Sequence, residues 1–304
     1  MIQLICLAML SGVLFGAMSW PYQMGRRWGV PASHVASVLL VIGFVFFLGY
    51  WFRYDRSVLA PLSVWTLPLL GGLGQVLGVV LLDPAQKRGP AAPVFCALNL
   101  TFLPAAIFAV GLLGERLTAW QSLGLVAALG CVVIAGWSQP AAGDSPGTAP
   151  EVRHGGWLYP LLLLGLMLGT SLATMVMKYL QATPAESGSL LDLHKGTYLM
   201  MTYGGSAAGM LVLLCFKDRV RVQWRRTLGL GGVAAVGSIG GFITLCSAAT
   251  LPGGVGFAVT NVMCFLTIAL IAAFVFKERR TLAWYGTVVL AILSVLLFAS
   301  SAGS

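Results

Sequence analysis

Ten stretches of about twenty residues carry almost nothing but apolar side chains, and this repetition limits the fold more than any other feature. They run near 2–21, 33–52, 62–82, 91–112, 118–138, 157–178, 196–216, 228–249, 254–276 and 282–301. A hydrocarbon core about 30 Å thick is crossed by about 20 helical residues. An open strand cannot satisfy its backbone in lipid, so such runs are helices. Composition agrees: 58% of the 304 residues are hydrophobic and 9% are charged, against roughly 25% charge in soluble domains. That hydrophobicity excludes disorder. The shortage of polar side chains argues against a soluble enzyme. The chain reads as an all-α integral membrane protein of ten transmembrane helices.

The net charge of +9 comes from basic residues in the short connections, where they set membrane orientation. No nucleic-acid motif accompanies them, so no nucleic-acid partner is expected. Cys6, Cys96, Cys131, Cys215, Cys246 and Cys264 all lie inside apolar runs, without a CxxC. They read as small buried residues, not as disulfides or metal ligands. The N-terminal run lacks a basic n-region and a clear cleavage site, so it reads as the first span.

Residues 139–156 are rich in Pro, Gly, Ala and Ser and read as a flexible linker near the chain midpoint. The parts on either side, 1–138 and 157–304, repeat. Pro90, Phe95 and Asn99 are matched by Pro252, Phe257 and Asn261 at an offset of 162. Glu115 and Arg116 are matched by Glu278 and Arg279 at 163. Gly12 and Gly16 share their spacing with Gly165 and Gly169. With five spans in each half, the second half enters the membrane from the opposite side. Two inverted five-helix repeats follow, an architecture of secondary transporters with the substrate site between the repeats.

A span ending in Gly114-Glu115-Arg116-Leu117-Thr118, followed by a Gly-rich span, resembles the EamA-type repeat of the drug/metabolite transporter superfamily. Lys277 to Thr281, followed by Tyr285-Gly286, resembles its second copy. The resemblance implies a ten-helix carrier of small metabolites working by alternating access. A second resemblance is to the sugar-permease branch, the rhamnose and glucose/ribose carriers. It rests on Ser19-Trp20-Pro21-Tyr22 and on the span that opens at His194. The family resemblance implies termini in the cytoplasm, but the charges imply the reverse. The connections on the termini side hold Arg53, Arg56, Arg116, Lys178 and Lys195, and the other thirteen basic residues face the opposite side. The positive-inside rule then places both termini outside.

Polar groups inside a bilayer are costly, so each one is a functional candidate. Asn99 and Asn261 sit about half-way along equivalent spans, and an amide both donates and accepts. They serve either a neutral polar substrate or a helix–helix hydrogen bond. Gln75, among glycines in the third span, is a further substrate candidate. So are Trp20 and Tyr22, whose rings can stack on a sugar or a cation or else form an interfacial belt. Thr174, Tyr198 and Thr260 complete the substrate set, although hydroxyls often bond their own helix. Asp83 and His194 are candidates for coupling a proton or sodium ion. Lys178, at the end of the sixth span, is expected to snorkel to the interface. Glu115, Arg116, Glu278 and Arg279 read as structural, closing the turns between consecutive spans.

The nine acidic residues form no DxxD or ExxE pair, and three isolated histidines supply no HExxH. No metal site, cofactor or membrane enzyme is therefore expected. No carboxylate stands in mid-membrane, which argues against export of lipophilic cations. The expectation is a transporter in the inner or plasma membrane, monomeric or homodimeric. It moves a small neutral or zwitterionic metabolite, sugar-like solutes included. A multidrug or lipophilic-cation exporter is the alternative.

Overall fold

The computed structural model describes residues 1–55, 60–88, 97, 100–138, 158–185, 188–217, 223–275 and 282–300. The first apolar run reaches Gly25, further than its expected end at residue 21. It is made of α1 (Ile2–Ala17) and α2 (Ser19–Arg27), with a break at Met18. The break falls just under one turn before Pro21, whose missing N–H cannot continue the hydrogen-bond ladder.

The chain continues with α3 (Ala32–Tyr54), α4 (Leu62–Arg88), α5 (Phe102–Gly111) and α6 (Ala119–Ser138). After α7 (Leu158–Ala182) comes a small antiparallel hairpin, β1 (Pro184–Ala185) with β2 (Gly188–Ser189). The short α8 (Leu190–Leu193) leads into α9 (Lys195–Lys217) and α10 (Trp224–Ala248). A 3-10 turn at Pro252–Gly254 precedes α11 (Val255–Leu270), which passes into a π turn at Ile271–Val275. The last helix is α12 (Leu282–Ser300).

Six helical stretches among the described residues are long and apolar enough to cross a membrane: Ile2–Gly25, Ala32–Tyr54, Leu62–Leu81, Leu158–Ala182, Lys195–Cys215 and Trp224–Ala248. Four shorter apolar helices, Phe102–Gly111, Ala119–Cys131, Val255–Ile271 and Tyr285–Ser300, stand where the other expected runs fall. Large apolar side chains cover the outside. Val236 is 70% exposed and Leu282 is 89% exposed, which suits lipid and not water.

Inside, α4 packs on α7 and α9, α10 on α1 and α3, α3 on α9, α1 on α11, and α6 on α12. Glycines set the close approaches that membrane helices favour. A Cβ on Gly74 would stand 2.6 Å from the Gly169 carbonyl oxygen, and one on Gly237 would stand 2.8 Å from that of Leu14. Hydroxyls bind across the same seams. Ser11 Oγ donates to the Gly241 carbonyl at 2.8 Å, and Ser206 Oγ to that of Gly72 at 3.0 Å.

Two ends of the bundle can be told apart by their contacts. One end gathers the C-terminal ends of α3, α5, α7 and α10 and the start of α9. There Thr197 N–H donates to Asp55 Oδ2 at 2.8 Å, and Lys195 Nζ donates to Ser247 Oγ at 3.3 Å. By chain direction this is also the end of the N-terminus, and it is called the termini end below. At the other end the Arg226 guanidinium lies 5.7 Å from the centre of the Trp28 ring.

The Gly114–Thr118 connection is built from backbone upward. Gly114 takes φ +67°, a conformation open to glycine, and Glu115 N–H then reaches the Ala109 carbonyl at 3.1 Å. Thr118 caps α6 through a reciprocal pair. Gln121 N–H donates to Thr118 Oγ1 at 3.3 Å, and Thr118 N–H donates to Gln121 Oε1 at 3.0 Å. This is a capping box.

Candidate functional site

A cavity of about 190 Å³ opens between α1–α2, α3 and α4 on one side and α9 and α10 on the other. Pockets for drug-sized ligands run to roughly 300–1,000 Å³, so this one suits a smaller solute. Its lining is mainly apolar and aromatic, with Phe15, Met18, Leu39, Val76, Met210 and Phe242. The rings meet edge to face, as their quadrupoles prefer. Phe15 and Phe242 stand 5.2 Å apart at 86°, and Tyr203 and Phe242 stand 5.6 Å apart at 74°.

The polar part of the lining is small. Tyr203 Oη and Ser238 Oγ share a hydrogen bond of 2.5 Å. Ser206 Oγ stands 3.2 Å from Gln75 Oε1 while also bonding the Gly72 and Thr202 carbonyls. Tyr22 adds a phenol. No Asp, Glu, Lys or Arg lines the cavity among the described residues. The site can therefore read hydroxyls, amides and flat apolar surfaces, but it offers no counter-charge.

The candidates from sequence fall in different places. Gln75 and Tyr22 line the cavity, and Trp20 does not. Tyr198 is fully buried and ties α9 to α7 by donating to the Ala173 carbonyl at 3.0 Å. Thr174 bonds its own helix at the Ser171 carbonyl, 2.6 Å. Thr260 joins α11 to α1 through the Ala8 carbonyl at 3.1 Å. Asn261 turns its amide back onto Phe257 O at 2.9 Å. Asn99, Glu278 and Arg279 lie outside the described residues, as does the side chain of Asp83 on α4. Arg116 is exposed. Ser238, Ser206 and Tyr203 complete the polar lining of the cavity. Ser238 stands out in the sequence only as a hydroxyl among the glycines of α10.

A second buried polar group lies at the termini end, away from the cavity. Lys178 is 2% exposed, so it does not snorkel. Its ammonium makes an ion pair with Glu115 Oε1 at 2.8 Å and donates to the carbonyls of Ala249 at 3.1 Å and Leu251 at 2.8 Å. These acceptors hold it, because a buried charge without them costs several kcal/mol. Glu115 thus joins α5 to α7, beyond closing its own turn. His194, at a loop edge where solvation is the ordinary expectation, is also 2% exposed. Its Nδ1 has no hydrogen-bond partner among the described residues. Burial pushes its pKa below the usual 6.5, and the Asp55 carboxylate pulls it partly back.

No curated protein matches this sequence. A solved crystal structure, described only as that of a protein, superposes with a TM-score of 0.71 at 16% identity, over 97% of this chain and 96% of its own. That likeness concerns the fold alone. The apolar helices and their lipid-facing surfaces make this an integral membrane protein, and its residues 3–137 match the model of the EamA-like transporter family.

Proposed function

We propose that the chain is a ten-helix secondary carrier that moves a small neutral polar solute by alternating access. Residues 1–138 and 157–304 form two five-helix repeats of opposite orientation, joined by the linker 139–156. The observation that carries this reading is the position of the cavity. It lies between helices of the first part and helices of the second, where carriers built from inverted repeats bind their substrates.

The packing supports the repeat. The counterparts are α1–α2 with α7, α3 with α9, α4 with α10, α5 with α11, and α6 with α12. Exchanging counterparts turns α4–α7 into α10–α1, α4–α9 into α10–α3 and α1–α11 into α7–α5, all of them packed pairs. The pairs α3–α9 and α6–α12 return to themselves. The agreement holds for helices and not for every glycine. Gly12 and Gly16 lie against α11, whereas Gly169 lies against α4.

The uncharged lining favours a neutral solute over a zwitterion. Gln75, Ser206, Ser238, Tyr203 and Tyr22 provide the donors and acceptors, and the rings provide flat faces of the kind a sugar ring stacks on. A lipophilic cation would call for a carboxylate in this lining. Ion coupling, where present, would use His194 or Asp83. Lys178 and Lys195 are both engaged in hydrogen bonds inside the protein, so they add little to the positive charge that the termini side presents. The charge asymmetry, and with it an outside location for both termini, is thereby strengthened. The carrier acts in the inner or plasma membrane as a monomer or homodimer.

The test is thermal stabilisation of the purified protein by sugars, amino acids, nucleosides and lipophilic cations, followed by flux in liposomes. A ligand of the folded state raises its stability. Stabilisation and uptake of a neutral solute are expected. Response to lipophilic cations alone would overturn the substrate class. Halves unrelated by a two-fold axis in the membrane plane would overturn the architecture.

A further inference from the structure

The two polar regions of the interior lie at different depths. On α3 the cavity is lined by Ala36, Leu39 and Leu40, close to the helix start, and on α4 by Gln75, Val76 and Val79, towards its end. Both positions are nearer the Trp28–Arg226 end. The Lys178 group lies at the termini end, where Lys178 and Leu251 are each 2% exposed and the Glu115 side chain, 22% exposed, forms the outer edge. Lys178 belongs to α7, and Glu115 follows α5, so their ion pair crosses between the two parts of the chain. The Ala249 and Leu251 carbonyls add the end of α10 to the same ammonium.

We propose that the Glu115–Lys178 pair, seated on the Ala249 and Leu251 carbonyls, is the latch that keeps the termini end shut while the cavity faces the opposite end. This rests on the carrier reading above. A carrier must open each end in turn, and the termini end cannot open between α5 and α7 with this pair made. Parting it leaves a carboxylate and an ammonium to find new partners in the water that enters, so the latch can yield only as that end becomes wet. An ion pair suits the task better than apolar packing, because hydration offsets most of what is lost when it breaks.

Cys246 is a native reporter for this opening. It is 1% exposed and directly precedes Ser247, which binds Lys195 at the termini end. With the other five cysteines changed to alanine, the protein in liposomes is treated with a membrane-impermeant maleimide. Glu115→Gln is nearly isosteric, and it should raise the labelling rate of Cys246 by about tenfold. Lys178→Met should do the same, and the double variant should exceed the faster single variant little. Glu115→Asp and Lys178→Arg keep the charges and should stay near the parent. Unchanged labelling in folded, monodisperse Glu115→Gln would overturn the latch, and so would independent, multiplying effects in the double variant. If Lys178→Met fails to fold, Glu115→Gln against Glu115→Asp still decides. Labelling needs no solute, so a failed latch leaves liposome flux intact, while a failed carrier reading shows as absent flux.

Discussion

Removing the Tyr203 hydroxyl isolates one interaction of the cavity. Tyr203 is 2% exposed and Ser238 is 4% exposed, so neither hydroxyl has much water to turn to. Tyr203→Phe keeps the ring, which stands 5.0 Å from Phe47 and 5.6 Å from Phe242. The packing is therefore unchanged, and the loss is that of the 2.5 Å hydrogen bond. A buried polar group left without its partner costs about 1–3 kcal/mol. Water in the adjoining cavity softens this, so each of Tyr203→Phe and Ser238→Ala should cost about 1–2 kcal/mol. The double variant leaves no orphan, and it should cost little more than one single change. The coupling energy should then be about 1 kcal/mol, between the average of about 0.6 and the maximum of about 1.7 measured between membrane helices. Reversible unfolding of the four proteins in mixed micelles measures it. Additivity to within about 0.3 kcal/mol would refute the claim that these hydroxyls satisfy one another.

Gln75→Leu should weaken the best-binding solute of the panel by about tenfold, the worth of one lost hydrogen bond, with the unfolding temperature nearly unchanged; equal affinity would remove Gln75 from the site. Gly74→Val should destabilise by about 1–3 kcal/mol through overpacking against Gly169 and Leu172, whereas Gly232→Ala, which meets open space, should be neutral or slightly stabilising in unfolding assays. His194 is held below its usual pKa of 6.5 by burial, so the unfolded chain takes up the proton first and stability should fall as pH drops below about 6.5. Unfolding curves between pH 8 and 5 should show this slope and lose part of it in His194→Gln.

The apolar runs announce helices, because lipid leaves the backbone no other choice; among the described residues six of them are long and apolar enough to cross a membrane and four are shorter. Their extents are less plain. The break at Met18 is legible from Pro21 alone. The Thr118 cap could be read from the Thr-x-x-Gln spacing with Gln121, a local pattern. Partners on distant helices leave no such trace. Lys178 looks like any lysine at the end of a span, since its acceptors come from Glu115, 63 residues before it, and from Ala249 and Leu251 beyond α10. Hydroxyls and amides leave the least trace of their partners in the sequence. Asn261, Thr174 and Thr260 each have a backbone carbonyl within reach, on their own or a neighbouring helix, and take it. Ser238 reaches the cavity because α10 turns that face inward, a matter of rotation that an almost uniformly apolar helix does not encode.

The uncharged lining also bears on the energy source. Moving one elementary charge through 100 mV is worth about 2.3 kcal/mol. A neutral solute held by Gln75, Ser206, Ser238 and Tyr203 carries no charge across, and the residues holding it carry none either. On the proposed reading, and without a coupled ion, the membrane voltage does no work on the loaded step, and the solute would run down its own gradient or exchange against another. Flux that rises with voltage would be the signature of an ion travelling with the cargo, and its slope would count the charges moved in each cycle.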